Sequence, residues 1–593
     1  MTSLTQHFGE LRAIIQSPPS VIAWHRLCDM VDAWPDPQHL QHVALPYAQD
    51  ILDRTWPDVM RQAPASWLMR MMRGEEYVRG FELIRRVGHT QEFIGREPCL
   101  EIFATAPSEE VCRVIAHPQM RHITQLNLRN LRKQPDAIVD ALAQTRTFER
   151  LVFLNLGRIL PDRERFATLW DNSALATLQK LELWDTAIGD EELRAMAQSP
   201  HLRNLTYLEL SDTYITARGL EELYRSPYIQ ELQQLFLADN DIGDAGVEAI
   251  VCAQRCRHLR HLEIPGCSIS PQGAKLLASC EALSGLEQLL LWDNPILDEG
   301  ASALVQSTHL SKLEVLAIDD IRTTPNFWRE HANAIALPSL KDLRLGTHDE
   351  ISSQSLIALA TTDKLGSLQK LEFNHVAYDA PALKALTQAT WMPQIKHLNL
   401  FRLTNTSDEG IGDFLLNARF ERLESLLLGE LDLDSEALQK LANNPSLGRL
   451  TSVEIMRETA LKGGVAHLLE SRVFDLEHLD VWSCVLSEED ILAMIPTQNM
   501  QRMHTLKLCR CEFPKQAFDR MIQNPGVANI RELRVLHDGL DTASIQAIAS
   551  SPYLGKLRVL DLGSLDDPED ANLLAKSPHL HADVRVTFEQ KMA

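Results

Sequence analysis

The stretch CAQRCRHLRHLEIPGC places Cys252, Cys256, His258, His261 and Cys267 within sixteen residues. Four of these side chains converging would make a tetrahedral zinc site. A second group, CRC at Cys509 to Cys511, could do thiol chemistry if one sulfur were exposed and its thiolate stabilised. Beyond these, the chain has no GxxxxGK[ST] phosphate loop, no HExxH, no GxSxG elbow and no GxGxxG after a strand, so nucleotide, zinc-protease, hydrolase and dinucleotide chemistries lack their usual signatures. Whether the cysteines and histidines meet depends on the elements that carry them.

Those elements repeat. LTYLELSDTYI at Leu205 to Ile215 returns as LQQLFLADNDI at Leu232 to Ile242 and as LEQLLLWDNPI at Leu286 to Ile296. A marker residue at offset 3 of this phrase runs Leu126, Leu154, Leu181, Leu208, Leu235, Leu262, Leu289, Leu316, Leu343, Leu371, Leu398, Leu426, Val453, Leu479, Leu506, Leu533 and Leu560. Twelve of the sixteen intervals are 27 residues, which makes one supersecondary unit the building block of the chain. The LxxLxL core is short and ends on a period of two, so its leucines point inward and the residues between them outward. The second half is helical: IGDEELRAMAQSPHL puts Leu193, Met196 and Ala197 on one face, with Asp190 as the expected N-cap. LSEEDILAMIP carries a capping box, Ser487 with Asp490. Ser-Pro or Asn-Pro recurs after the helices, at Pro200, Pro227, Pro445, Pro525, Pro552 and Pro578, where proline stops the helix and extends the chain into the next strand.

A strand–turn–helix–turn unit cannot bury its leucines alone. About eighteen units must stack into an α/β solenoid, with a parallel sheet on the concave side and helices outside. CLEIF at Cys99 to Phe103 is the expected opening strand, and ADVRVTF at Ala582 to Phe588 the closing one. With hydrophobics at LxxLxLxx(N/T/C)xI and a full helix, the units resemble the long leucine-rich repeats of the ribonuclease-inhibitor type over residues 98 to 580. The eighth offset carries Thr186, Thr213, Asn240, Cys267, Asn294, Cys484 and Cys511, small polar groups suited to backbone amides in the turn. It drifts to Ile321, Val376, Leu403 and Leu431, so the middle repeats are expected to be less regular. Residues 1 to 97 hold four of the ten tryptophans, Trp24, Trp34, Trp56 and Trp67, and are broken at SPPS, WPDP and QAPAS. They read as an α-helical cap domain. RLCDMVDAWPDP resembles the repeat-companion segment that precedes leucine-rich repeats in some large bacterial proteins.

Register decides the chemistry. It sends Cys252 and Cys256 to the helix side, His261 to the strand face and Cys267 into the turn, which disperses the zinc set. Cys511 falls in a turn and Cys509 on the exposed strand face. Ten scattered cysteines fit free thiols in a reducing cytoplasm. The start shows no secretory leader and no stretch is apolar enough to span a membrane. A formal charge of −23 disfavours nucleic-acid and anionic-membrane binding and favours basic partners.

Recognition in such arrays belongs to the outward strand positions. From the repeat of Leu181 to that of Leu316 these hold Glu182, Asp185, Glu209, Asp212, Asp239, Glu263, Asp293, Asp319 and Asp320 against Lys180 alone; later repeats balance acids with bases. Trp184, Phe236 and Trp292 add aromatic anchors to that stretch, as do Tyr207 nearby and Phe401 and Trp482 further on. The expectation is a noncatalytic protein-binding array, without metal, cofactor or small-molecule substrate, that grips a basic protein on its concave face. The alternatives are a GTPase activator like the Ran-activating family and an enzyme inhibitor like ribonuclease inhibitor, whose cysteine richness is missing here. Residues 581 to 593 are left as a closing strand and tail.

Overall fold

The computed structural model describes residues 2–590 apart from 76, 88–107, 132, 253–254, 406–410, 459–460, 462, 496, 537–539, 566–569, 571–572, 575 and 581–584. It divides into two compact units, Met1–Ile269 with Cys280–Leu286 and Ser270–Ser279 with Glu287–Ala593.

The first unit opens with helices Thr2–Ile15, Val21–Asp32, Leu45–Thr55 and Ala65–Met72. Their core is built on the four tryptophans, all buried. Three indoles are satisfied locally: Trp24 Nε1 donates to the Gln62 carbonyl (2.8 Å), Trp56 Nε1 to the Ile15 carbonyl (3.2 Å) and Trp67 Nε1 to Asp32 Oδ2 (2.6 Å). Two wholly buried guanidiniums share one carboxylate, Arg61 Nη1 and Arg85 Nη2 lying 2.6 and 2.5 Å from Asp53 Oδ1. Burial pulls Arg61 down to about 10, and the neighbouring Arg85 adds to the shift.

Seven strands follow: β1 (Arg86–Val87), β2 (Gln125–Asn127), β3 (Phe153–Asn155), β4 (Lys180–Glu182), β5 (Tyr207–Glu209), β6 (Gln234–Phe236) and β7 (His261–Glu263). Each pairs in parallel with the next, and the marker leucines stand in register, Leu154 on Leu181 and Leu208 on Leu235. The sheet thus begins at Arg86, inside the segment expected to be cap alone. The expected strand at Cys99 to Phe103 lies outside the described residues.

The second unit holds β8 (Gln288–Leu290), β9 (Val315–Ala317), β10 (Asp342–Ile351), β11 (Lys370–Tyr378), β12 (His397–Asn405), β13 (Ser425–Gly429), β14 (Ser452–Met456), β15 (His478–Trp482), β16 (Thr505–Cys509), β17 (Glu532–Arg534), β18 (Val559–Leu565) and β19 (Arg585–Gln590). All pair in parallel in chain order. The closing strand is β19; residues 582–584 of its expected span lie outside the described residues.

A short strand leaves the amides of the following turn without partners, and the eighth offset supplies them. Asn240, buried, accepts from the amides of Thr213 (3.1 Å) and Ile215 (3.0 Å), while its Nδ2 donates to the carbonyls of Leu210 (2.7 Å) and Leu237 (3.0 Å). Cys267 and Cys511 donate Sγ–H to the carbonyls of Leu237 and Val481, both at 3.1 Å. Glu458 performs the acceptor half of the asparagine's task, taking the amides of Leu431 (2.7 Å) and Leu433 (2.9 Å). Where the position turns apolar, at Val376 and Leu403, the turn disappears and the strands run on. β11 and β12 pair from Lys370↔His397 as far as Tyr378↔Asn405, because neighbouring backbone now satisfies what no side chain can. The irregularity expected of the middle repeats is a lengthening at Val376 and Leu403, whereas at Ile321 and Leu431 the strands β9 and β13 stop short of the position.

Helix ends differ from expectation at one cap. Asp190 does not cap its helix: the Gly189 amide bonds to Glu192 Oε2 (3.0 Å), and Asp190 reaches the next repeat, accepting from Thr216 N (2.9 Å) and Oγ1 (2.7 Å). The Ser487–Asp490 box is present. In the Ser-Pro pairs the serine matters as much as the proline. Ser199 donates to the Trp170 carbonyl (2.6 Å) and Ser551 to the Ile522 carbonyl (2.6 Å), each 29 residues back, which ties one repeat to its predecessor. Among the described residues no helix is long and apolar enough to cross a membrane.

Asn240→Ala should cost about 3 kcal/mol or more, because it strands several buried backbone groups at about 1–3 kcal/mol each; chemical denaturation compared with an exposed control such as Gln272→Ala measures it.

Candidate binding surface on the strand faces

In the first unit three rings line up across adjacent strands. Tyr207 on β5 and Phe236 on β6 have centroids 4.9 Å apart, and Phe236 lies 4.6 Å from the His261 ring on β7. Partial burial of each ring makes a flat apolar patch. Carboxylates flank it. Glu209 accepts from the Ser211 amide at 2.8 Å, and Glu263 Oε2 stands 3.4 Å from His261 Nε2. Burial pushes the Glu209 carboxyl above its ordinary range, with Glu263 and Glu182 adding to the rise against the Ser211 bonds. The Tyr207 hydroxyl is raised by burial first and then by the same three acids. Lys180 supplies a cation here, its Nζ 5.2 Å from the Tyr207 centroid. Sequence reasoning placed these residues on one face but not the ladder: the clue was an aromatic or imidazole ring at three neighbouring repeats, Tyr207 and His261 at the second offset and Phe236 at the fourth.

Three expectations need correcting. Glu182 is not an open anchor: it is only 4% exposed and accepts a hydrogen bond from Asn155 Nδ2 of the adjacent strand. Asp185, Asp212, Asp239, Asp293 and Asp320 share a second reason for being acidic. All have φ between 51° and 56°, the left-handed region where aspartate is tolerated far better than most residues. Other repeats put Arg158, Arg402, Glu430, Arg457 or Arg510 at the same turn, so the geometry allows either sign and the run of aspartates is a choice among them. Third, Trp184 and Asp185 already hold a cation. The Arg158 guanidinium lies 5.3 Å from the Trp184 ring centre and its Nε 2.7 Å from Asp185 Oδ2. Trp184 also rests over Gly157, whose missing side chain leaves the space: a Cβ there would meet the indole at 2.4 Å.

The second unit carries Trp292, Asp293, Asp319 and Asp320. Trp292 and Asp319 help line a half-open cavity of about 350 Å³ together with Arg344, Asn374, Asn399 and Phe401. Burial raises the Asp319 carboxyl, and Asp320 and Glu372 add to the rise against Arg344. Gly346 lies between Asp319 and Asn374 in this row, within 3.1 to 3.3 Å of their Cβ atoms from where its own Cβ would be. Sequence reasoning named the tryptophan and the aspartates but neither the asparagines nor the glycine that opens the hollow.

Register placed Cys509 on the exposed strand face, and the structure differs there. Cys509 is buried rather than exposed; burial, helped by Asp480, pushes it up to about 11, the reverse of an activated thiolate. Its ring neighbour shows why: the Arg510 guanidinium lies over Trp482, 5.9 Å from its centre, and closes the face. Cys256 and Cys267 are buried and Cys252 exposed, with Cys267 committed to its turn. Among the described residues no three histidine, cysteine or acidic side chains are grouped to hold a metal.

Residues 201–223, 230–251 and 255–278 match a family model described as Leucine Rich repeat. The chain has the α/β leucine-rich-repeat fold. The leucine-rich-repeat ectodomain of the plant membrane receptor kinase GASSHO1/SCHENGEN3 from Arabidopsis thaliana, solved in complex with CASPARIAN STRIP INTEGRITY FACTOR 2, is similar at 16% identity and a TM-score of 0.29. That match covers 82% of this chain and 54% of the ectodomain, so the chain spans about half the length of that structure. An internalin (inlF) from Listeria monocytogenes is similar at 18% identity and a TM-score of 0.33, covering 63% of this chain and 89% of the internalin. No curated relative matches in sequence. Proteins with leucine-rich repeats act as scaffolds for protein–protein interaction, and no catalytic family is indicated.

Because the folded state raises the Glu209 carboxyl, it holds that proton more tightly than the unfolded chain does. Folding stability contributed there falls as pH rises through the raised value and recovers on acidification. Glu209→Gln should therefore raise the melting temperature at pH 7, with the gain vanishing towards about pH 4, where the unfolded carboxyl is itself protonated; calorimetry across that range tests it.

Proposed function

We propose that this leucine-rich-repeat chain is a noncatalytic interaction protein of the ribonuclease-inhibitor-like kind that grips a basic protein partner with its strand faces. The observation that carries the reading is the aromatic ladder of Tyr207, Phe236 and His261 set among Glu209 and Glu263, with Glu209 held where burial makes an uncompensated charge costly. An arriving lysine or arginine relieves that cost, and the rings bury apolar area beside the charge. Asp212 and Asp239 stand exposed at the adjoining turns and extend the acidic field that steers approach. Trp184 and Asp185 contribute less, since Arg158 already occupies them. Trp292, Asp293, Asp319 and Asp320 form the second unit's share of the surface.

No disulfide is recorded among the nine described cysteines, which supports work in a reducing cytoplasm, and the resemblance of the N-terminal segment to repeat-companion sequences supports a bacterial source. The acidic balance supports a protein partner over nucleic acid or anionic membrane.

The test is capture from the source cell with Glu209→Gln, Glu263→Gln and Phe236→Ala combined against the unaltered chain, followed by mass spectrometry. The combined variant is expected to lose at least about nine-tenths of a basic partner, the size of one desolvated charge pair. Retention of the partner at full yield would rule out this face. Partner retention should also weaken on acidification, as the raised Glu209 carboxyl takes up its proton, and weaken with added salt.

A further inference from the structure

Three of the rings at the sixth offset are covered by arginines of the chain itself. Arg158 lies 5.3 Å from the centre of Trp184, Arg402 5.4 Å from that of Phe401, and Arg510 5.9 Å from that of Trp482. Trp292 occupies the same offset and, among the described residues, has no arginine or lysine over it. Its surroundings are the ones that hold a guanidinium elsewhere. Where Arg158 bridges Trp184 to Asp185, Trp292 is followed by Asp293, and Asp319 stands at its own offset in the next repeat. No cation of the described residues lies within ion-pair distance of Asp293, Asp319 or Asp320.

The cavity beside Trp292 adds a second set of unmet groups. The side-chain oxygens of Asn374 and Asn399 are buried and without a hydrogen-bond partner, although both amides line the hollow. Such acceptors cost free energy until a donor arrives. Arg344 pairs with Asp342 through Nη2 at 3.1 Å while its buried Nε makes no hydrogen bond, and the nearby Lys370 Nζ lies 2.7 Å from Glu372. The far wall, Phe401 with Leu427 and Met456, is apolar.

We propose that this hollow seats an arginine-bearing segment of a protein partner: the guanidinium stacks on Trp292 and pairs with Asp319, backbone amides of the segment donate to Asn374 and Asn399, and an adjacent apolar side chain lies against Phe401. Arginine is specified over lysine because a planar guanidinium can stack on an indole and fork to a carboxylate at once; inside the molecule Arg158 lies over Trp184 while its Nε pairs with Asp185. Raised by burial, Asp319 gains most from such a partner. The proposal rests on the reading of the chain as a protein-binding array, and it concerns a face separate from the Tyr207–Phe236–His261 ladder.

The test is calorimetric titration of the full chain with two blocked tetrapeptides, acetyl-Ser-Arg-Leu-Ser-amide and acetyl-Ser-Leu-Arg-Ser-amide, which cover both chain directions. Replacing arginine by citrulline, its neutral isostere, should weaken the better peptide about tenfold, the equivalent of 1.4 kcal/mol. Asp319→Asn should remove that preference, leaving the arginine and citrulline peptides alike, while Trp292→Phe keeps it and Trp292→Ala loses it. The Asp319 and Trp292 substitutions should act the same way in a Glu209→Gln, Glu263→Gln background, where the ladder's own pull on arginine is removed. Equal binding of arginine and citrulline peptides, a preference that survives Asp319→Asn, or no binding of either peptide at millimolar concentration overturns the proposal. Because the Asp319 and Trp292 effects are also read with the ladder carboxylates neutralised, loss of the basic partner in the capture experiment and loss of the arginine preference here report separately on the two sets of residues.

Discussion

A polypeptide that crosses its own sheet every 27 residues must find partners for the amides just past each short strand, because burial against the next repeat removes water from them. This requirement governs the rest of the structure. Asn240, Cys267, Cys511 and Glu458 are chemically unlike one another, yet each meets the same turn with whatever its side chain can offer. Asparagine both accepts and donates, the thiols donate to carbonyls and at Cys484 also accept the Glu458 amide, and the glutamate only accepts. At Val376 and Leu403 the position is apolar, and β11 and β12 lengthen until neighbouring backbone takes over.

The same turn sets the character of the exposed face. Immediately before the buried polar group, the backbone enters the left-handed region, at φ 54° in Asp212 and 56° in Asp239. Side chains there leave the sheet at a fixed angle and gather at its rim. Aspartate suits that conformation, so part of the acidity along the early repeats follows from backbone geometry. The arginines at equivalent turns show that sign is free to vary, and their consequence is mechanical as well as electrostatic. Arg158 and Arg510 fold back over tryptophans of adjoining repeats and withdraw those rings from outside partners. The neighbouring turn residue therefore decides whether an aromatic is a contact point or part of the scaffold.

Serine before proline links the helical side in a parallel way. Each such hydroxyl, as at Ser199 and Ser551, reaches the carbonyl end of the previous helix. Strand pairing on one side and hydroxyl staples on the other are both nearest-neighbour interactions, as expected of a quasi-one-dimensional array. The four buried tryptophans and the Asp53 ion cluster of residues 1 to 87 provide the first strand with a covered flank.

By itself the sequence determined the period, the parallel strand order, the inward direction of every marker leucine, the Ser487 capping box and the closing strand, because these depend only on spacing and on local backbone preference. It placed Asp190 at a helix start without showing that its carboxylate would cross to Thr216, and it put Cys509 on a face without showing that the face was covered. Tertiary structure decided burial, pairing and vacancy: that Glu182 sinks against Asn155, that Tyr207, Phe236 and His261 meet as a row of tilted rings, and that Gly346 leaves room beside Asp319. The physical reason is that direction along a strand is a property of one chain segment, whereas what covers a side chain belongs to residues a full repeat away, whose size and charge no period prescribes.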